Sequence, residues 1–388
     1  ESYLHFQTGF NRFQTRSRTA TRFDRRRFAF RGIVNVYWRT KRLYLKTRMA
    51  LFHANLAKFD AAAEMDARLR SRISAWELFA LAFAFCSLGI FLWAHGQLNI
   101  VPFDYNNYLN TAEGNFLQFY YAEWVLPVFW LWARIPYWWG YSLWGILNIL
   151  CLFFAARIFG GSSTLALLSF QMFYVLFLGQ IVGILVGGLA LGWWAIAHRR
   201  WYLAGLGLFL AGAKFQIGIP FGLLLWLTAK VTWSERLRVL ILPAILAVLS
   251  LIWHPTWPLD LMTRIRNTPP NDWGSISLWR WIGPAALILW LLPLLLPLER
   301  ERRFLALAAA CPLVIPYFQS ADLVTLYALP VGWLPVLLGN LGFLFFEYGF
   351  QALRWLWIVP MSVYLAILSP VLYRLLHDNV FVHKANDR

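Results

Sequence analysis

The 388-residue chain is 60% hydrophobic and 18% aromatic, carries only 14% charged residues and has a mean hydropathy of +0.54. A water-soluble domain of this length cannot hide so much apolar surface, so the composition excludes an ordinary soluble enzyme and points to a polytopic helical membrane protein. The net charge is +17, yet Glu1 to Arg72 alone hold 17 Lys or Arg against 5 Asp or Glu, a net of +12, which leaves the apolar remainder nearly balanced.

By the positive-inside rule the basic arm, residues 1–72, is expected to stay cytoplasmic, against anionic headgroups or an acidic partner protein. Its first part, with RSRTATRFDRRR, has no apolar period. Further on, Leu45, Met49, Phe52, Leu56, Phe59 and Ala63 recur at alternating steps of four and three. That stripe predicts a helix over about residues 36–72, which suits a membrane surface and a partner's groove equally. Nucleic acid is disfavoured as a partner, because the charge sits on the arm of a membrane protein. No secretory apolar region heads the chain and its first residue is not Met, so the native start is expected upstream. Cys86, Cys151 and Cys311 are odd in number, lie inside apolar segments without metal or disulfide spacing, and read as packing residues.

A first span at 76–98 follows Arg68, Arg70 and Arg72 and is expected to run outwards. No Lys or Arg then occurs before Arg134, whereas Asp104, Glu113 and Glu123 do, so the polar stretch within 99–136 is assigned to the external face. Residues 119–134 are apolar but short, and predict a juxtamembrane helix in the interface. A span at 138–157 returns to Arg157. Runs at 163–178 and 181–197 flank Gly179 and Gln180, and runs at 202–213 and 217–229 flank Lys214. Such half-length helices carve a cavity open to lipid, which a lipid-linked substrate needs. A span at 239–253, a second polar loop at 254–278 and a run at 280–297 lead to the internal cluster LERERR. Runs at 304–317, 324–346 and 353–373 complete the bundle, the side of the C-terminus being left open. Trp and Tyr at run ends, as in 137–139 and 354–357, mark the headgroup level. The expected architecture is therefore all-α, a bundle of about 10–12 membrane segments including half-length helices. It divides into the arm 1–72, a transmembrane domain 73–375 and a tail 376–388.

The candidate site residues each have two readings. Asp104, in FDYNNY, is either a helix cap or a carboxylate positioned at the membrane surface. Gln180 is either an interhelical amide or a ligand for hydroxyls. Lys214 either snorkels to the interface or is a functional ion between half-helices. His254, in WHPTWP, is a turn residue or a phosphate ligand; Tyr105 and Tyr108 mark the interface or stack on a sugar; Asp322 reads as a cap. HExxH, CxxC, GxSxG, P-loop and calcium-loop patterns are absent from the sequence, so no metal and no cofactor is expected.

An Asp in the first external loop is followed in order by LGQIVGILVGGLAL (178–191), AGLGLFLAGAKFQIGIP (204–220), PNDWGSISLWRWIG (270–283) and PYFQSADLVTLYALP (316–330). This ordered set resembles the GT-C superfamily of membrane glycosyltransferases, and within it the polyprenyl-phosphate-mannose-dependent mannosyltransferases, over about residues 76–375. The resemblance implies an enzyme of the plasma membrane that moves a hexose, mannose in that family, from a polyprenyl-phosphate donor. The acceptor would be a lipid, glycan or protein on the extracytoplasmic face. It implies that Asp104 acts as general base and that Lys214 and His254 meet the donor phosphate. Gln180, Tyr105 and Tyr108 would contact the sugar, with Glu123 and Asp322 towards the acceptor. One departure stands out: Glu123, in YYAEWVLP, occupies a place where relatives carry a small residue or Pro. It favours the alternative expectation, a non-catalytic subunit of this fold docked in a larger membrane complex through its basic arm. A transporter ranks below both, since the sequence has no 3+3 internal repeat and no acidic relay inside the spans.

Overall fold

The computed structural model describes residues 61–116, 119–267 and 274–386. The arm ahead of Ala61, with its stripe from Leu45 to Phe59, lies outside the described residues, where the regular structure is helical throughout.

Helix α1 (Ala61–Arg70) is the described end of the arm, and it packs on the bundle. Asp66 accepts a hydrogen bond from Trp194 Nε1 (3.1 Å) and faces His198 Nε2 at 3.2 Å. Helix α2 (Ala75–Leu98) starts at a capping box in which Ser74 and Glu77 bond each other's backbone N–H, and it stops at Asn99 in the left-handed region (φ 51°). Its buried side chains, Ala80, Ala84, Ser87, Leu88, Phe91 and His95, recur at steps of three and four, while Trp76, Phe79, Phe83, Ile90 and Trp93 cover the outer side. A helix that is apolar on both faces requires an apolar solvent on the outer one. Helix α3 (Phe103–Ala112), a 3-10 turn at Glu123–Val125 and α4 (Leu126–Trp132) follow. The α-helix expected over 119–134 is thus only seven residues long, preceded by the 3-10 turn that carries the buried Glu123.

Helix α5 (Tyr137–Phe159) leads to the end of the bundle where Arg157 donates to Ser71 O at 2.8 Å. The run expected at 163–178 is broken into α6 (Ser163–Leu167) and α7 (Phe170–Leu178), since Ser169 caps α7 through its hydroxyl. Helix α8 (Val182–Ala197) meets α7 at a bend of 114°. A second elbow joins α9 (Trp201–Ala211) to α10 (Phe215–Thr228). Helix α11 (Trp233–Trp253) is among the most exposed, with only 6% of its most apolar 18-residue window buried, so lipid is its natural surrounding. The second polar loop contains α12 (Trp257–Asn267), and the irregular residues 275–277 then pass through the core, where Ile276 N donates to Phe318 O (2.8 Å) and Leu278 N to Leu313 O (3.0 Å). The remainder is α13 (Trp279–Leu295), α14 (Arg300–Val314), a 3-10 turn at Ser320–Leu323 that runs into a short helical turn at Val324–Tyr327, α15 (Trp333–Phe345) and α16 (Ala352–Tyr373). The run expected at 324–346 is interrupted near Pro330 and Gly332, and the expected tail at 376–386 continues the last helix.

Among the described residues four helices are long and apolar enough to cross a membrane: α2, α5, α11 and α16. Counting the bent α7–α8 pair as one crossing makes five. The expected 10–12 segments included pieces that are too short to cross alone; α9, α10, α13 and α15 are apolar helices of this kind.

Candidate functional site

Two elbows bring polar groups to one place. Gly179 ends α7 with φ +69°, a conformation that turns the chain sharply and costs a residue with Cβ dearly. A Cβ there would also lie 2.5 Å from the Tyr105 Cβ, so a glycine lets α3 sit directly on the elbow. Trp144 Nε1 fixes the turn by donating to Gly179 O at 3.0 Å. At the other elbow Gly218 lets α10 fold back on α9, because a Cβ would come 1.8 Å from Ala211 O. Lys214 stands at the tip of this second elbow.

From these positions a continuous chain of bonds crosses the interior. Lys214 Nζ donates to Asp322 Oδ1 at 2.6 Å, and the two side chains are 2% and 0% exposed. The other Asp322 oxygen accepts from Gln319 N at 3.0 Å, and the Gln319 side chain in turn accepts from the Asp322 backbone N–H, closing a capping box. Gln180 Nε2 donates both to Gln319 Oε1 (3.2 Å) and to Asp104 Oδ2 (2.7 Å). Asp104 is half-buried in the first turn of α3, where the helix N-terminus favours a carboxylate. It does not cap the helix, whose preceding residue is Pro102. Burial pushes the Asp104 carboxyl up to about 7; the Lys214 charge and the Gln180 hydrogen bond oppose that rise, and the Asp322 charge reinforces it.

The remaining candidates divide into two groups. Tyr105 and Tyr108 do not mark an interface: both are buried, Tyr105 against Tyr137, Tyr141 and Trp144, and Tyr108 stacked on Phe129 at 4.9 Å. The Tyr108 hydroxyl pairs with that of Tyr121 at 2.9 Å. They form an aromatic floor that holds α3 in place. Glu123 and His254 join a separate cluster. Buried Glu123 accepts from Arg264 Nη2 (2.7 Å) and pairs with His254 Nδ1 (2.5 Å), and His254 Nε2 lies 3.3 Å from Asp260 Oδ2. A backbone bond from Ala122 N to Ala213 O, 3.1 Å, ties this cluster to the Lys214 elbow. Lys214 does not snorkel, and Asp322 is both a cap and a counterion.

Gln319 and Arg264 escaped the sequence reading. The Gln-x-x-Asp spacing inside an apolar run was a legible signal for Gln319. Arg264 sits in a polar loop where nothing distinguishes it from Arg266. Among the described residues no group of three or more His, Cys, Asp or Glu is placed to hold a metal ion.

The fold and site define a helical protein with four or five candidate membrane spans and a buried chain of polar groups at the junction of two helical elbows. Comparison with protein-family models, with curated proteins and with solved structures finds no match for this chain.

Proposed function

We propose that the chain is an integral membrane glycosyltransferase of GT-C type, which transfers a hexose, mannose by its sequence resemblance, from a polyprenyl-phosphate donor to an acceptor hydroxyl. The observation that carries this is Asp104: a half-buried carboxyl, held by Gln180 and pushed up to about 7, has the proton affinity of a general base working near neutral pH. In the transfer Asp104 takes the proton from the acceptor hydroxyl as its oxygen attacks the anomeric carbon. The bond to the phosphate oxygen breaks, and polyprenyl phosphate leaves with the electron pair. Lys214 acts through its fixed charge, because its ammonium is already paired with Asp322. His254 is the more accessible cation for the donor phosphate when protonated, with a side chain 45% exposed.

The occupied Lys214 also favours a second reading, a non-catalytic subunit of this fold docked through its basic arm, since a lysine bound to Asp322 is not open to a phosphate. Turnover decides between them. Purified protein in nanodiscs is given radiolabelled polyprenyl-phosphate mannose and a lipid extract as acceptor source. Transfer by wild type that is lost in Asp104→Asn supports the enzyme, and absence of transfer by both leaves the subunit reading standing.

A further inference from the structure

The orientation of the Gln180 amide follows from the backbone. The Asp322 N–H can only donate; it is shared between the Gln319 backbone carbonyl, at 3.1 Å, and the Gln319 side chain, so the Gln319 side-chain atom facing it is the carbonyl oxygen. That oxygen also faces Gln180 at 3.2 Å, which requires the Gln180 atom there to be the amino group. The same amino group reaches Asp104 Oδ2 at 2.7 Å. Both Gln180 N–H donors are therefore engaged, and its carbonyl oxygen is left buried with no partner. A buried acceptor without a donor costs stability, so such a group in a candidate site calls for a donor from outside the chain.

We propose that Gln180 Oε1 is the acceptor that reads a hydroxyl of the sugar-bearing substrate, and that Gln319 is the positioning residue that holds the amide in this orientation. The proposal rests on the glycosyltransferase reading and adds its chemistry at one atom. The ligand group at Gln180 must be a hydrogen-bond donor. A phosphate or carboxylate oxygen is excluded from that position, because two acceptors would face each other. Gln319 holds the amide through its own carbonyl oxygen, which is fixed by the Asp322 N–H. A carboxylate at position 319 preserves both acceptor contacts, whereas an aliphatic side chain removes them and frees the Gln180 amide to rotate.

The test uses the full-length protein in nanodiscs with polyprenyl-phosphate mannose and its monodeoxy and monofluoro analogues, measuring both binding and transfer. Fluorine accepts weakly but cannot donate, so a hydroxyl read as a donor is lost equally in the deoxy and fluoro forms. Wild type is expected to bind the analogue altered at one ring position about 10- to 100-fold more weakly than the parent, the effect of one buried polar group left unpaired. Gln180→Leu and Gln319→Leu should both lose that discrimination, at the same ring position and at no other, while Gln319→Glu retains it. A general packing defect would instead weaken all analogues together and lower the melting temperature. Wild-type transfer without any fluoro- and deoxy-sensitive position, or discrimination unchanged in Gln319→Leu, overturns the inference and leaves the enzyme reading intact. A wild type that neither binds nor transfers the parent lipid overturns both.

Discussion

Replacing Asp104 by Asn separates chemistry from stability. Asn is nearly isosteric, and its side-chain oxygen still accepts the Gln180 Nε2 hydrogen that Asp104 Oδ2 receives at 2.7 Å. What disappears is the ionisable carboxyl. A positioned general base contributes about 10²- to 10⁴-fold, so transfer is expected to fall by that factor. Stability should move the other way. The carboxyl is raised from its ordinary value of 3.8 to about 7, so the folded protein binds a proton that the unfolded chain has already released in between. Wild-type stability is therefore expected to fall as pH rises from about 4 to 7 and to level off above that. At about 1.4 kcal/mol per pH unit the total cannot exceed about 4.5 kcal/mol, and residual hydration of the half-buried carboxyl reduces it further. Asp104→Asn lacks this slope and should melt at or above the wild-type temperature at pH 8. The wild-type rate, in contrast, should climb about tenfold per unit below pH 7 and then flatten as the base becomes fully ionised. Transfer of radiolabelled mannose and thermal unfolding, both followed from pH 4 to 9, provide the measurements. Activity of the variant within a few-fold of wild type, or a rate that falls through pH 7, would refute the assignment of Asp104 as the base.

Breaking the Lys214–Asp322 pair from one side, with Lys214→Met, leaves a carboxylate buried and should cost about 3–5 kcal/mol, whereas adding Asp322→Leu should recover most of the loss; a double variant as unstable as the single one argues against the ion pair. Gly218→Ala forces α9 and α10 apart, since the new methyl would meet Ala211 O at 1.8 Å, and a cost of about 1–3 kcal/mol should appear as a lower melting temperature. An unchanged melting point and unchanged transfer in that variant would show that the elbow does not need close contact. Deleting residues 1–40 removes much of the basic arm, each side chain of which contributes about 1 kcal/mol beside an anionic surface. Binding to anionic vesicles or partner proteins should weaken at low salt, with bundle insertion intact, and association that is indifferent to the deletion at every salt concentration would leave the arm as a topogenic signal alone.

The sequence by itself determined the properties that are local along the chain. Run length and composition marked α2 and α5 nearly to the residue, because a helix in lipid must keep about 20 apolar residues together. The same rule exposed the paired short runs around Gln180 and Lys214, where single polar residues interrupt apolar stretches. Asp104 stood out because it follows the first span. What the sequence could not supply was the set of partners. Gln180 reaches Asp104 across 76 positions and Gln319 across 139, and Lys214 reaches Asp322 across 108. Those meetings depend on the 114° bend at Gly179 and the close crossing at Gly218, each a matter of backbone angle and side-chain size at one residue. Tertiary structure also placed Tyr105 and Tyr108, expected either at the interface or against a sugar, in a buried floor, and made Glu123 the shared anion of His254 and Arg264. Apolar periodicity records which solvent a helix meets, but a buried hydrogen bond is specified by the convergence of several elements, and only their packing decides which donor finds which acceptor.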